Sequence, residues 1–165
     1  MDLSADGLAL LKDLEGVEAE PYLDSAGLLT VGCGHLLTKD ELSSGKIRCG
    51  DRVLRWKDGP LSSEEIDLLL ADDVGWAEAT VTTAVRVPLT PPQFDALVCL
   101  AFNIGATAFR QSTLCRQLNA GDYASVPGQF RRWTRAGGEQ VPGLVRRRER
   151  EIARWHARDT DTTPA

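Results

Sequence analysis

The sequence contains no apolar run approaching the roughly 20 residues that a membrane-spanning helix needs. Its longest apolar stretches lie near Leu97–Phe102. The start, Met1-Asp2-Leu3-Ser4-Ala5-Asp6, lacks the basic residues and the apolar segment of a secretory leader. The expectation is a protein made and kept in the cytoplasm until something else releases it, without stable membrane insertion. Histidine is scarce, with only His35 and His156. The cysteines at 33, 49, 99 and 115 form no Cys-x-x-Cys pair, so no zinc pattern is complete. An even number alone does not show disulfides in a chain with no export signal, and reduced, mostly buried thiols are expected. Internal repeats and low-complexity segments are also missing.

What is present is ordinary for a folded soluble domain. The 165 residues are 42% hydrophobic and 26% charged, enough for one domain or two small lobes with a core. Disorder is expected only in the polar tail 159–165. The net charge of −5 conceals an asymmetry. Residues 1–100 carry 8 Lys+Arg and 18 Asp+Glu, whereas residues 101–158 carry 11 Arg and 4 acids. Arginine suits planar anion contacts, so the basic set suggests an anionic polymer, nucleic acid or cell wall. Singly, most of these arginines read as a solvated helix surface. No recognition-helix or zinc pattern accompanies them, and the acidic first hundred residues would repel phosphate, which argues against nucleic acid.

Periodicity predicts a helix, a hairpin and then several helices. The first helix runs from Ser4, a suitable N-cap, to Glu15, with Leu8, Leu11 and Leu14 as its stripe and Gly16 as its stop. Two β-prone runs flank Asp24-Ser25-Ala26-Gly27, a turn sequence. Residues 36–60 read as irregular, with room for a third strand or a short helix. Ser62-Ser63-Glu64-Glu65 is a capping box that opens a helix of about 20 residues, roughly 30 Å long. Thr90-Pro91-Pro92-Gln93 starts another helix, Gly105, Gly121 and Gly137-Gly138 divide the following helices, and a last helix runs from about Pro142 to His156. The fold class is α+β. One domain over 1–165 is expected: a hairpin lobe over about 15–61, a connecting helix over about 62–85, and a helical lobe over about 86–158 that includes the N-terminal helix 4–14.

The chemistry concentrates in Glu15–His35. Glu15 closes an apolar helix, where the dipole's negative end and apolar neighbours would both raise its pKa, as a general acid requires. Asp24, in a hairpin turn, would be better solvated and stay ionised. Two carboxyls in unlike environments are the minimal equipment for glycoside hydrolysis. The plainer reading makes Glu15 a surface residue and Asp24 a turn residue bonded to its own backbone.

Glu15-x8-Asp24-x5-Thr30, followed by Val31-Gly32-Cys33-Gly34-His35, resembles the active-site signature of the phage lysozyme (endolysin) family. Phe102-Asn103-Ile104-Gly105, Ser112-Thr113-Leu114, Leu118–Tyr123, Trp133–Gly138 and Gly143–Glu149 resemble further family segments in family order. The resemblance covers roughly Leu8 to Trp155. Cys33 departs from it, since the family usually has Tyr there, and residues 41–60 look longer and less regular than in the shortest members. The resemblance implies a lysozyme-like fold: a small hairpin lobe and a larger helical lobe joined by a long helix, with the cleft between them.

It also implies a muramidase that cleaves the β-1,4 bond between N-acetylmuramic acid and N-acetylglucosamine in bacterial peptidoglycan, by inversion and without metal or organic cofactor. Glu15 would be the general acid. Asp24 would order a water or stabilise positive charge, and Thr30 would place that water or line the face opposite the leaving group. Gly32, with Gly34, would leave room for a sugar ring. His35 either meets substrate or pins the hairpin through a carboxylate such as Asp72 or Asp73. Asn103 bonds either substrate or backbone. Trp133 and Trp155 read as core rather than sugar platforms, and Glu18 and Glu20 as surface charges. A monomer that depends on a holin pore to reach the wall completes the expectation. A wall-binding module without catalysis is the competing reading, which intact Glu15, Asp24 and Thr30 oppose.

Overall fold

The computed structural model describes residues 1–158, so the expected tail at 159–165 lies outside the described residues. The chain divides into two compact units, Leu8–Gly75 and Met1–Gly7 with Trp76 onward. The division falls within two helices, α1 (Ala5–Glu15) and α3 (Ser63–Ala84).

The Leu8–Gly75 unit holds a three-stranded antiparallel sheet in the order β1 (Glu18–Leu23), β2 (Leu29–Gly32), β3 (His35–Leu36). The expected turn closes its first hairpin: Asp24 N donates to Leu28 O at 2.9 Å, and Gly27 N donates to Asp24 O at 2.9 Å. Beyond it, the segment that read as irregular is ordered into α2 (Lys39–Ser44) and a second hairpin, β4 (Ile47–Cys49) with β5 (Arg52–Leu54). Thr38 and Glu41 form a capping box on α2, and Gly45 ends it at φ +71°. Inward Ile47, Cys49 and Leu54 are buried, as are Leu11 on α1 and Ile66, Leu69, Leu70 and Val74 on α3. The 3.6-residue spacing of that α3 stripe is what puts one face of a 22-residue helix into the core. Its start is the capping box anticipated from sequence, with Ser62 N donating to Glu65 Oε2 at 2.8 Å and Glu65 N donating to Ser62 Oγ at 3.2 Å.

The other unit is built on α4 (Pro91–Ile104), which packs against α8 (Pro142–Trp155). Thr90 and Gln93 cap α4. Every residue from Phe94 to Ala101 is buried, including Asp95. That carboxylate ties down the chain start: it accepts from Ser4 N (2.9 Å) and Ser4 Oγ (2.6 Å), and from Arg154 Nη2 (2.6 Å). Ser4 Oγ also accepts from Gly7 N at 3.1 Å, the N-cap bond expected of it. Between α4 and α8 come α5 (Ala106–Gln111), α6 (Thr113–Asn119) and α7 (Val126–Phe130), then a tiny hairpin, β6 (Arg135–Ala136) and β7 (Glu139–Gln140). Gly137-Gly138, which read as a break between helices, is that hairpin's turn, with both glycines at positive φ. Trp155 is buried beside Phe130 and Tyr123, whereas Trp133 is half-buried.

Candidate active site

Glu15, Asp24, Thr30, Gly32 and His35 all belong to the Leu8–Gly75 unit. Glu15 is the last residue of α1. The chain turns away immediately after it because Gly16, at φ +83°, returns its N–H to Lys12 O at 2.9 Å. One carboxylate oxygen of Glu15, Oε1, is shielded from solvent. Lys12, one turn earlier on α1, pairs with Asp67 of α3. Tyr22 on β1 has its phenol pushed up by burial and then by the negative charges of Glu18, Asp24 and Glu15. Both candidate carboxyls thus act electrostatically on one half-buried tyrosine, a site neighbour that spacing alone does not single out.

Asp24 spends its two oxygens unequally. Oδ1 accepts from Ala26 N and Leu28 N, each at 2.8 Å, and so holds the turn. Oδ2 makes no hydrogen bond among the described residues. The turn role weighed from sequence is therefore real, and it leaves one oxygen of a fixed carboxylate available. Thr30 sits on the central strand, between Tyr22 of β1 and Leu36 of β3, and is buried. Its Oγ1 donates to Leu28 O at 3.1 Å, so the oxygen's lone pairs remain for another partner.

Gly32 takes φ +68°, and a Cβ there would stand 3.3 Å from Leu69 Cδ2 of α3. Cys33, in the position where the resemblance led us to expect Tyr, is buried. Burial pushes its thiol up to about 11, with Lys12 pulling the other way, so it is a packing group rather than a nucleophile. His35 lies between two carboxylates: Nδ1 is 2.9 Å from Asp73 Oδ1, and Nε2 is 3.3 Å from Glu41 Oε2. Two acceptors on two ring nitrogens suit the doubly protonated imidazolium. Burial opposes that charge, but Asp73 and then Glu41 outweigh it and raise the pKa. Asp73 is one of the two partners considered from sequence. Glu41 is not, although Thr38-x-x-Glu41 carries the same capping signature as Ser62-x-x-Glu65.

Asn103 belongs to the other unit, near the end of α4. Its Oδ1 accepts from Arg148 Nη2 at 2.9 Å. Arg148 is fully buried and also meets Glu151, with Nε 2.8 Å from Oε2. Arg147 joins the same carboxylate, its Nε 3.1 Å from Oε1. Among the described residues, no group of three or more His, Cys, Asp or Glu side chains is placed to hold a metal ion.

The sequence model of the family described as phage lysozyme matches residues 12–151. The endolysin of Acyrthosiphon pisum secondary endosymbiont phage 1 is 36% identical over 157 residues, covering 93% of this chain and 97% of that protein. A SAR-endolysin of Escherichia phage Mu is 40% identical over 148 residues, covering 90% of this chain and 77% of that protein. A crystal structure of a mutant P22 lysozyme superimposes with a TM-score of 0.79 at 36% identity, over 95% of this chain and 99% of that one.

Proposed function

The chain belongs to the phage lysozyme family, and on that premise we propose that Glu15, Asp24 and Thr30 are the residues with which it cuts peptidoglycan. The protein is a peptidoglycan-hydrolysing muramidase of the endolysin type and therefore a glycoside hydrolase.

The reaction is hydrolysis of the β-1,4 bond between N-acetylmuramic acid and N-acetylglucosamine. Glu15 delivers its proton to the glycosidic oxygen as the C1–O bond breaks. Positive charge grows on the anomeric carbon, and a water attacks it from the opposite face. The oxygen of Asp24 that the turn leaves available accepts a proton of that water, and Thr30 Oγ1 fixes its position. Because water itself is the nucleophile, the product anomer is inverted, an arrangement that needs about 6.5–9.5 Å between the carboxyls. The place a Cβ on Gly32 would take is against Leu69 of α3, which supports close packing of the sheet on that helix rather than room for the sugar, and Asn103, whose Oδ1 is held by Arg148, remains the candidate to offer its amide to the substrate. His35 bonds to Asp73 and Glu41, which supports a positioning role for it, holding β3 to the helices rather than touching the sugar.

The carrying observation is the pairing of a shielded oxygen on Glu15 with a turn-fixed Asp24 whose second oxygen is available. Among the described residues no helix is long and apolar enough to cross a membrane. The reading is a monomer that reaches the wall through holin-formed pores. The deciding experiment compares wild type with Glu15→Gln on purified peptidoglycan, following reducing ends and the anomeric proton of the first product. Gln keeps the size but has no proton to give, so the rate falls about 10²–10⁴-fold or more while wild type yields the inverted anomer. Equal rates remove Glu15 from the role, and a retained anomer removes the water mechanism. If neither protein cuts but both bind the wall, the activity is binding alone.

A further inference from the structure

Charge within residues 8–75 is segregated. Residues 39–57 carry six cations against three acids, while the remainder of 8–75 carries one cation, Lys12, against eleven acids. Three of the six cations, Lys46, Arg48 and Arg55, line a groove of about 600 Å³ between α2 and the β4–β5 hairpin. Strand alternation explains their aim. Ile47, Cys49 and Leu54 point inward and are buried, so Lys46, Arg48, Val53 and Arg55 share the outward face. Arg48 is paired with Val53, and Lys46 and Arg55 flank the Ile47–Leu54 pair on the same side of the ribbon. Like charges facing each other across a ribbon destabilise it. No hydrogen bond or ion pair among the described residues engages these three side chains.

Two acids share the groove, and they differ. Glu41 is already committed to Thr38 N (2.7 Å), Thr38 Oγ1 (2.8 Å) and His35. The carboxylate of Asp40 has no partner among the described residues. The groove therefore offers three uncompensated cations beside one uncompensated carboxylate. That pattern fits a small group with more than one carboxylate and a single ammonium. The groove is short, so it takes one such group rather than a continuous run of a polyanion.

We propose that this groove binds the peptide stem of the wall, taking its free carboxylates on Lys46, Arg48 and Arg55 and the ammonium of a diamino acid on Asp40. Guanidinium forks match carboxylates bidentately, which gives Arg48 and Arg55 the larger share. The inference rests on the reading of peptidoglycan as substrate, and it adds a site apart from Glu15, Asp24 and Thr30 that selects strands still carrying peptides.

The test titrates the tetrapeptide L-alanyl-γ-D-glutamyl-meso-diaminopimelyl-D-alanine into the full chain and follows backbone amide resonances. Amides of residues 46–55 shift, Arg48→Gln with Arg55→Gln weakens binding about tenfold, and Arg48→Lys with Arg55→Lys recovers part of it, with thermal unfolding as the check that each variant is folded. In parallel, kcat/KM is measured on peptide-bearing wall and on strands stripped of peptide by an amidase. The ratio of the two falls about tenfold in the Gln variant. No shift at 46–55 at roughly ten-millimolar peptide, or a ratio that does not move, overturns the proposal. So does a teichoic acid that shifts these amides when the tetrapeptide does not. If wild type cuts neither substrate yet the tetrapeptide still maps to 46–55, the hydrolase reading fails and the groove assignment stands. Cleavage of both substrates with no binding at 46–55 has the opposite meaning.

Discussion

His35 shows how one residue's charge becomes a stability term. Its pKa is raised above the ordinary 6.5 because Asp73 and Glu41 outweigh burial. The folded form thus holds the proton to higher pH than the unfolded chain does. The stabilisation is complete below about pH 6.5 and is lost as pH rises through the folded value. His35→Gln removes it and leaves two carboxylates facing each other. In urea unfolding, the gap between wild type and His35→Gln should be about 1–3 kcal/mol near pH 5 and shrink by about pH 9. A gap that widens with pH would show that the imidazolium is not what holds Asp73 and Glu41. The same residue marks how far sequence alone reached at the site. The order of Glu15, Asp24 and Thr30 was recognisable from spacing and resemblance. The environments were not, because they depend on long-range partners. Asp24 divides its oxygens only once the turn closes, and Glu41 reaches His35 only because α2 folds over residues that read as irregular.

At the scale of elements, legibility followed the length of the signal. The capping box at the head of the 22-residue α3 was plain, and Thr90-Pro91 announced α4. The β6–β7 hairpin was not, since two-residue strands carry no periodicity and Gly137-Gly138 break a helix as well as they turn a ribbon. The 36–60 stretch read as irregular because the alternation in Ile47-Arg48-Cys49 is three residues long and only burial makes it visible. The capping box also has a measurable value. Ser62 Oγ is the acceptor for the otherwise orphaned Glu65 N–H at the start of α3. Ser62→Ala should cost about 1 kcal/mol, or about 2–4 °C in Tm, with peptidoglycan hydrolysis retained at temperatures where the variant is folded. An unchanged Tm would mean that α3 is fixed by its buried face and gains nothing from its start.

At the scale of the whole molecule, charge is split between the two units. Residues 8–75 carry 7 cations and 14 acids, a balance of −7, whereas residues 1–7 with 76–158 carry 12 cations and 8 acids, a balance of +4. Peptidoglycan presents carboxylates, so the two units contribute opposite terms to its attraction, and the net −5 alone would disfavour contact. Several arginines of the positive unit are already spent: Arg131 on Glu149, Arg147 and Arg148 on Glu151, Arg154 on Asp95. Arg132, Arg135 and Arg146 are exposed and make no ion pair among the described residues. If they draw the protein to the wall, screening should slow it. Raising salt from about 10 mM to about 150 mM shortens the Debye length from about 30 Å to about 8 Å, and the initial rate of wall lysis should fall several-fold. The triple change Arg132→Gln, Arg135→Gln, Arg146→Gln should lower the low-salt rate toward the high-salt one and flatten the dependence. A rate that instead climbs with salt would mean that repulsion by the acidic unit governs the encounter. The exposed arginines would then be solvated helix surface, and the wall would be held at short range by groups such as Arg48 and Arg55, whose bonds to a bound carboxylate are screened far less than the approach is.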